Sequence, residues 1–350
     1  MNNSDTTVVR TLMYQEAIET PARFRDQLEA LQTTLAQLGK RLREHPPRLA
    51  ITCGRGSSDH AGVFARYLIE TALHIPTASA TPSTLSVYGA NTRLDDTLVI
   101  LVSQSGQSPD LVAYAAAAKQ AGALTVGLIN RHVDAPLAAH CDFVLPLCAG
   151  AENAVAATKS YLCTLFASLQ LVAHWTADSS LQADLRTLPA AMEQAQALDW
   201  SAAVDKLTPA RNMLVLGRGP GLGIANEMAL KFKETCALHA ESFSAAEVLH
   251  GPLAMIRAGF PVLVFNQGDN SSASIQQTLI RLQAAGADIL LAAPQPVEGC
   301  THLPVLDGLR PWCRLLTQVQ TGYLMVEQLA RQRGYSPDAP AHIAKVTKTL

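Results

Sequence analysis

An internal repeat with a spacing of about 163 residues sets the architecture of this 350-residue chain. Three pairs of segments show the repeat: Gly54-Arg55-Gly56 with Gly217-Arg218-Gly219, Val99–Gly106 with Val262–Gly268, and Ala121-Gly122-Ala123 with Ala285-Gly286-Ala287. The offset stays nearly constant, which chance does not readily produce. A tandem duplication of one folding unit is the simplest explanation, so we expect two similar domains.

Short apolar runs alternate with helical patterns in the chain, and this alternation predicts an α/β fold. Strands are predicted at Leu49–Cys53, Leu98–Val102, Leu124–Ile129, Phe143–Leu147 and Met213–Leu216. Helices are predicted at Ala22–Glu44, Asp59–Leu73, Pro109–Ala121 and Ala157–Trp175. Strands that are apolar throughout are typical of parallel sheets covered on both faces. We therefore expect two tandem doubly wound parallel sheets, each a three-layer α-β-α domain.

The predicted boundaries divide the chain into five parts. Residues 1–47 form an N-terminal arm and helix, and residues 48–180 form the first domain. Residues 181–210 are a linker, helical over Leu181–Leu207, and residues 211–331 form the second domain. Residues 332–350 are a C-terminal tail that carries Lys345.

Composition and charge exclude several classes of protein. A formal net charge of −2, with no long run of either sign, gives no electrostatic footprint for nucleic acid. We find no secretory signal and no apolar stretch of membrane-spanning length, so we expect a cytoplasmic protein that does not partner a membrane. The seven cysteines are scattered without a Cys-x-x-Cys pair, which indicates reduced thiols, and the ten histidines show no metal-ligand spacing.

The segment that follows the strand Leu98–Val102 is the first candidate for a ligand site. Ser103, Gln104, Ser105 and Ser108 crowd around the predicted start of a helix, with Ser108 as its N-cap. Free backbone N–H groups and the positive end of the helix dipole point to the same place, which favours a phosphate. An ordinary capped turn explains this segment equally well when it is taken alone.

The second copy does not carry the same polar segment. Phe265 and Asn266 stand where the first copy has Ser103 and Gln104, so we expect one phosphate site per chain, in the first domain. The glycine-rich run from 217 to 223 has the spacing of a dinucleotide site. The nearest acidic residue, Glu234, lies inside a helical pattern instead of ending a strand, so a nicotinamide-dependent oxidoreductase ranks low.

Four side chains further along the chain are candidates for acid–base and amine chemistry. Lys231 and Glu234 lie three residues apart on one helix face, His250 precedes a Gly-Pro corner, and Lys345 lies near the C-terminus. Glutamate and histidine suit proton transfer on a sugar phosphate, and lysine suits a Schiff base with a ketose. Each also has a plain structural explanation: a solvated helix face, a capping histidine, and a charged residue in a frayed tail.

Taken together, these motifs resemble the sugar isomerase (SIS) domain family. The likeness covers nearly the whole chain, and its motifs are Gly54–Gly62, Ser103–Gly106, Val155–Tyr161, His239–Glu241, Leu249–Pro252 and Lys345–Leu350. Within the family, the chain is similar to the isomerase half of glucosamine-6-phosphate synthase, which has two such domains. It is closer to the stand-alone SIS-type glucosamine-6-phosphate deaminases.

The resemblance implies a role for each matched residue. Phosphate contacts are implied for Ser58, Ser103, Gln104, Ser105 and Ser108. Sugar contacts are implied for Ser57, Val155 and Ala344. Catalytic roles are implied for four residues: Glu234 moves a proton between C1 and C2, Lys345 forms a Schiff base with the ketose, Lys231 assists, and His250 opens the ring. In the family this histidine enters from the neighbouring subunit, which implies a homodimer, and no metal or organic cofactor is implied.

Departures from the synthase pattern direct the functional hypothesis. No glutaminase domain precedes the first unit, so synthesis is not expected. Ala157 stands where the synthase has serine, and Ser108-Pro109 replaces its Thr-Ala. We expect conversion of glucosamine 6-phosphate and water to fructose 6-phosphate and ammonia. The alternatives are a deaminase, isomerase or deglycase for galactosamine 6-phosphate or fructosamine 6-phosphate, and a non-catalytic sugar-phosphate sensor.

Overall fold

The computed structural model of the protein describes residues 10–90 and 92–345. The strands of the first half are β1 (Leu49–Cys53), β2 (Thr77–Ser79), β3 (Thr97–Ser103), β4 (Leu124–Ile129) and β5 (Phe143–Pro146). The strands of the second half are β6 (Asn212–Gly217), β7 (His239–Ser244), β8 (Pro261–Phe265), β9 (Asp288–Ala293) and β10 (Thr301–Pro304). The α-helices are α1 (Leu12–Ile18), α2 (Thr20–Glu44), α3 (Ser57–Leu73), α4 (Pro82–Ser86), α5 (Pro109–Gln120), α6 (Lys159–Trp175), α7 (Ser179–Ala195), α8 (Ser201–Leu207), α9 (Gly221–Cys236), α10 (Ser272–Ala284) and α11 (Pro311–Gln332).

The strands form two five-stranded parallel sheets with the same order. The first sheet is β2-β1-β3-β4-β5, and the second, read from its opposite edge, is β7-β6-β8-β9-β10. The predicted α/β class with two parallel sheets is therefore confirmed. Consecutive parallel strands need a crossover, and α3, α5, α9 and α10 each lie in one of them.

Strand pairing corrects the alignment of the two copies by one residue. Ile51 of β1 pairs with Val99 of β3, and Leu214 of β6 pairs with Val262 of β8, so the offset of 163 continues through the strand. Asn266 therefore corresponds to Ser103, and Gln267 corresponds to Gln104. The expected match of Phe265 and Asn266 to these two residues is wrong, because the glycines that suggested it are displaced by one position.

A continuous apolar core joins the two halves. Helix α3 packs on the first sheet, α9 packs on the second, and the two helices pack against each other. They approach each other closely at Gly223, where an added Cβ would lie 2.8 Å from the carbonyl oxygen of His60 and 2.9 Å from the amide of Phe64. One cluster of buried side chains therefore extends from Phe24 of α2 to Tyr323 of α11. The outer face of each sheet has a smaller core of its own, covered by α5 and by α10.

Several predicted segments differ from the observed ones at their ends. The arm expected before Thr20 contains α1 within its described part, and residues 1–9 lie outside the described residues. The linker expected as one helix is two, because Trp200 turns into the core between them and its indole donates a hydrogen bond to the Pro304 carbonyl at 2.8 Å. Helix α3 begins two residues earlier than predicted, at Ser57, and α6 begins two residues later, at Lys159.

The C-terminal tail is attached to the start of the chain. The Asp338 carboxylate accepts hydrogen bonds from the amides of Leu12 and Met13 at the N-terminus of α1, both at 2.8 Å. The Asp338 carbonyl accepts a hydrogen bond from the amide of Val155. The described part of the tail is thereby held over the loop that follows β5.

Two further observations concern the chain as a whole. All seven cysteines are free thiols, as their spacing predicts. Across residues 10–90 and 92–345, every helix is too short or too polar to cross a membrane.

Candidate active site

The main candidate site is a cavity of about 240 Å³ near the carboxyl ends of β1 and β3. These two strands are neighbours, but the chain leaves them in opposite directions, with β2 on one side and β4 on the other. Ligands of open α/β sheets bind in the crevice at such a switch point. The cavity lining includes Ser57 and Ser58 at the start of α3, Gln104 after β3, and Val155 and Ala344.

The start of α3 faces the cavity because of a glycine turn. Gly56 adopts a φ of 54°, a left-handed conformation that favours glycine, and α3 begins at the next residue. The first turn of α3 therefore presents Ser57 and Ser58 to the cavity at the positive end of the helix dipole. This arrangement suits an anionic ligand.

The four polar residues predicted after β3 divide into two groups. Gln104 lines the cavity, whereas Ser103, Ser105 and Ser108 belong to the same segment without being part of the lining. The Ser103 hydroxyl accepts a hydrogen bond from the Gly106 amide at 2.9 Å, and the Ser105 hydroxyl accepts one from the Gln107 amide at 3.3 Å. These two hydroxyls hold the turn in shape and retain a proton to donate. Ser108 is the N-cap residue of α5, as predicted.

A buried ion cluster forms the wall of the cavity contributed by α9. The Lys231 ammonium lies 2.6 Å from Glu234 Oε2, 3.4 Å from Glu227 Oε1 and 3.3 Å from the Ser57 hydroxyl. The Lys231 side chain is 1% exposed and that of Glu234 is 22% exposed. The explanation of this pair as a solvated helix face is therefore wrong, and Glu234 presents its carboxylate to the cavity.

Glu227 is the counterion that keeps Lys231 charged inside the protein. It accepts hydrogen bonds from the Tyr323 hydroxyl at 2.9 Å and makes a 3.2 Å contact with His60 Nδ1. Burial opposes ionisation of Glu227, but Lys231 and His60 hold the pKa of this carboxyl below its ordinary value. Burial also opposes the charge on Lys231, but Glu227 and Glu234 raise the pKa of the lysine above its ordinary value.

Lys345 reaches the cavity from the tail and is fixed by Glu152. Its ammonium donates hydrogen bonds to Glu152 Oε2 at 3.0 Å and to the Ala154 carbonyl at 2.8 Å. Glu152 is fully buried and also accepts hydrogen bonds from the amides of Thr158 and Ser160 and from the Ser160 hydroxyl. Burial opposes its ionisation, but Lys345 and these donors hold the pKa of Glu152 below its ordinary value. Lys345 is therefore an ordered residue of the cavity rather than part of a frayed tail.

His250 lies apart from this cavity in the same chain. It is exposed, at the end of a short 3-10 helix, Glu247–His250, that follows β7 of the second sheet. It is absent from the lining of the cavity, to which Lys231, Glu234 and Lys345 all contribute. The structure therefore brings together three of the four predicted catalytic side chains.

Several residues of the site were not predicted from the sequence, among them Arg55, Tyr161 and Glu152. Arg55 lines the cavity beside Ser58, Tyr161 lines it from α6, and Glu152 holds Lys345. Arg55 and Tyr161 lie within motifs that were singled out for other residues. Nothing near Glu152 in the sequence indicated its role, because its partner Lys345 lies 193 residues away.

In the second sheet, the place that corresponds to the Gln104 end of the cavity is occupied by side chains of the protein. Gln267, which corresponds to Gln104, is fully buried and donates hydrogen bonds to the Arg218 carbonyl, Asp269 and Ser271. Asp269, at the position that corresponds to Gly106, adds a carboxylate that would repel a phosphate. One phosphate site per chain stays a prediction. Among the described residues, no group of three His, Cys, Asp or Glu side chains could hold a metal ion.

Comparisons with known proteins agree with this architecture. The profile of the SIS domain matches residues 46–174 and 206–293. The isomerizing glutamine–fructose-6-phosphate aminotransferase of Symbiobacterium thermophilum is 32% identical over 358 aligned residues, which cover 95% of this chain and 58% of that protein. The chain spans about half the length of the curated relatives it matches.

Solved structures of similar fold cover most of the chain. A protein from Silicibacter pomeroyi DSS-3 that carries the provisional name phosphosugar isomerase has a TM-score of 0.89 and 39% identity, covering 94% of this chain and all of that one. Glucosamine-6-phosphate deaminase from Thermotoga maritima has a TM-score of 0.72 and 20% identity, covering 93% of this chain and all of that one. The second likeness shows a shared fold.

Proposed function

Because the chain belongs to the SIS domain family, we propose that it is a phosphosugar isomerase that acts as an amino-sugar-phosphate deaminase. The proposed reaction converts glucosamine 6-phosphate and water to fructose 6-phosphate and ammonia. The observation that carries the proposal is the presence of a carboxylate and two ammonium groups, from Glu234, Lys231 and Lys345, around a single small cavity. A site that only binds a sugar phosphate has no need of this set.

The phosphate would bind at the end of the cavity formed by Ser58, Gln104 and the first turn of α3. The positive end of a helix dipole favours anions, and the cationic residues of the lining favour them further. Binding energy from this non-reacting end then serves to orient C1 and C2 of the sugar toward Glu234. We assign the contacts with the sugar between the two ends to Ser57, Val155 and Ala344, which also line the cavity.

The chemistry proposed for the reacting end is a proton transfer followed by hydrolysis. In the open-chain aldose, the Glu234 carboxylate removes the proton from C2, which gives an enolamine, and returns a proton to C1. The 2-amino group loses one proton as O1 gains one, so the product carries C1 as a hydroxymethyl group and C2 as a neutral imine. Water then hydrolyses the imine to the ketone and ammonia. Lys345 assists at the C2 carbon, and Lys231 orients Glu234 through the 2.6 Å ion pair.

Ring opening requires a further acid–base group, and we assign it to His250 of a second copy in a homodimer. His250 is exposed, so its imidazole is free to enter the cavity of a neighbour. Complementation tests this arrangement. Mixing Glu234→Gln and His250→Ala chains should restore about a quarter of wild-type activity, because random exchange leaves one intact site in each mixed dimer. Failure to restore activity when mixed dimers form would contradict a shared site.

Turnover of amino sugar phosphates tests the proposed reaction itself. Ammonia release and fructose 6-phosphate formation are measured with glucosamine 6-phosphate, galactosamine 6-phosphate and fructosamine 6-phosphate. Glu234→Gln keeps the shape of the side chain and should lower kcat by about 10²–10⁴-fold with KM little changed. Lys233→Gln, on the exposed face of α9, is the matched control and should retain activity. Tight binding of fructose 6-phosphate without turnover of any amino sugar phosphate would instead indicate a sensor.

A further inference from the structure

Arg55 occupies an unusual place at the phosphate end of the cavity. It lies in the turn between β1 and α3 and lines the cavity together with Ser58 and Gln104. Its side chain is 51% exposed, whereas its ion-pair partner Asp110, in the first turn of α5, is fully buried. One edge of the Arg55 guanidinium is thus paired with a buried carboxylate, and the rest of the side chain is partly exposed to solvent beside the cavity.

The geometry of the pair leaves part of the guanidinium free. Nε and Nη2 of Arg55 both donate to Oδ2 of Asp110, at 2.8 and 2.7 Å. The other carboxylate oxygen of Asp110 accepts a hydrogen bond from the amide of Leu111 at 2.9 Å. A guanidinium has five N–H donors, so two face Asp110 and three remain, including both on Nη1. Arginine is suited to phosphate because a planar edge can contact two oxygens at once.

The carboxylate explains why Arg55 is needed at this place. Asp110 puts a buried negative charge beside the segment where the phosphate is expected, and a neighbouring phosphate would be repelled if that charge were unpaired. We propose that Arg55 is a direct ligand of the phosphoryl group, held by Asp110 so that the free edge of the guanidinium faces the bound phosphate. This inference rests on the proposed function, since it concerns the non-reacting end of the same substrate.

The internal repeat supplies a matched control for this assignment. Arg218 occupies the same position of the second copy, in Gly217-Arg218-Gly219 after β6. Its Nη1 donates to the Ser244 hydroxyl at 2.9 Å, and it is absent from the cavity lining. Arg218→Gln therefore changes the same residue type in the same local motif away from the proposed phosphate.

Calorimetric titration with fructose 6-phosphate and with inorganic phosphate tests the assignment. Arg55→Gln should raise the Kd of fructose 6-phosphate by about 10- to 100-fold, the range for loss of hydrogen bonds to a charged group. Arg218→Gln should leave the Kd within about twofold of wild type, since distant sites act independently. The double variant Arg55→Gln/Asp110→Asn removes the buried charge that the single variant leaves unpaired, so it separates loss of the contact from repulsion by Asp110. Its Kd should stay at least about 10-fold above that of wild type.

The outcomes separate this inference from the function on which it rests. If the double variant binds fructose 6-phosphate as tightly as wild type, Arg55 only neutralises Asp110 and the proposed contact is refuted. Wild-type affinity in Arg55→Gln refutes it as well. If the wild-type protein binds neither fructose 6-phosphate nor inorganic phosphate, the proposed function itself fails.

Discussion

Replacement of Glu227 by glutamine tests whether the buried charges around Lys231 stabilise the protein. Glu227 is fully buried and lies within 3.4 Å of Lys231, with Tyr323 and His60 as its other partners. Removing one partner of a buried ion pair leaves the other charge uncompensated and costs about 3–5 kcal/mol. Lys231 keeps Glu234 at 2.6 Å, so we expect the lower end, a loss of about 3 kcal/mol in the free energy of unfolding at pH 7.

The loss should depend on pH in a defined direction. The pKa of Glu227 in the folded protein lies below its ordinary value of 4.5, because Lys231 and His60 outweigh the effect of burial. The contribution of a carboxylate with a lowered pKa is fully present above the unfolded-state pKa and is lost as the pH falls through the folded-state pKa. The difference between Glu227→Gln and wild type should therefore be largest at neutral pH and shrink below about pH 4.5.

Urea denaturation at pH 7 and pH 4 measures this difference. The fluorescence of the buried Trp175 and Trp200 reports the transition. Glu234→Gln is the control, because its carboxylate is partly solvated and Lys231 retains Glu227; it should cost about 1 kcal/mol or less. A Glu227→Gln variant with wild-type stability at pH 7, or with the same deficit at both pH values, would refute the reasoning.

Two further predictions concern the tail and the core. Glu152→Gln should speed hydrogen exchange at residues 341–345 by about 10- to 100-fold, because Lys345 loses its charged acceptor. Glu298→Gln, at an exposed position, is the control and should leave this exchange unchanged. Unchanged exchange in Glu152→Gln would contradict the role of Glu152. Phe166→Ala should lower the free energy of unfolding by about 3–5 kcal/mol, because Phe166 is fully buried and stacks on Phe24 with ring centroids 4.0 Å apart. Phe166→Leu keeps most of the volume but loses the stacked ring, so in urea denaturation it should cost less than Phe166→Ala, and wild-type stability of Phe166→Leu would argue against the stacking contact.

The central strands could be predicted because continuous runs of apolar residues indicate buried strands. β1 and β4 have the predicted bounds, and β3 extends one residue further at each end, to Thr97 and Ser103. These strands are covered on both faces, so continuous hydrophobicity identifies them. β7 was missed, because His239–Ser244 is a half-exposed edge strand with polar residues at most positions. Edge strands lack the burial that makes such a pattern visible.

The site was predictable where its groups lie close in sequence and was missed where they do not. Lys231 and Glu234 are one helical turn apart, so their proximity followed from the spacing, although the burial of Lys231 did not. That burial depends on Glu227, which is another turn earlier, and on the packing of α9 against α3. The pairing of Glu152 with Lys345 joins the loop after β5 to the tail, and local spacing carries no information about such a contact.

The close packing of α3 on α9 at Gly223 limits how a substrate could enter and leave the proposed site. Enzymes built from two lobes often open and close around a hinge. Here the two facing helices, α3 and α9, belong to one continuous hydrophobic core. Pulling the lobes apart would expose that interior to water. Under the proposed function, we expect the smaller segment from Asp338 to Lys345, which is held by a few polar contacts, to move when sugar enters and product leaves.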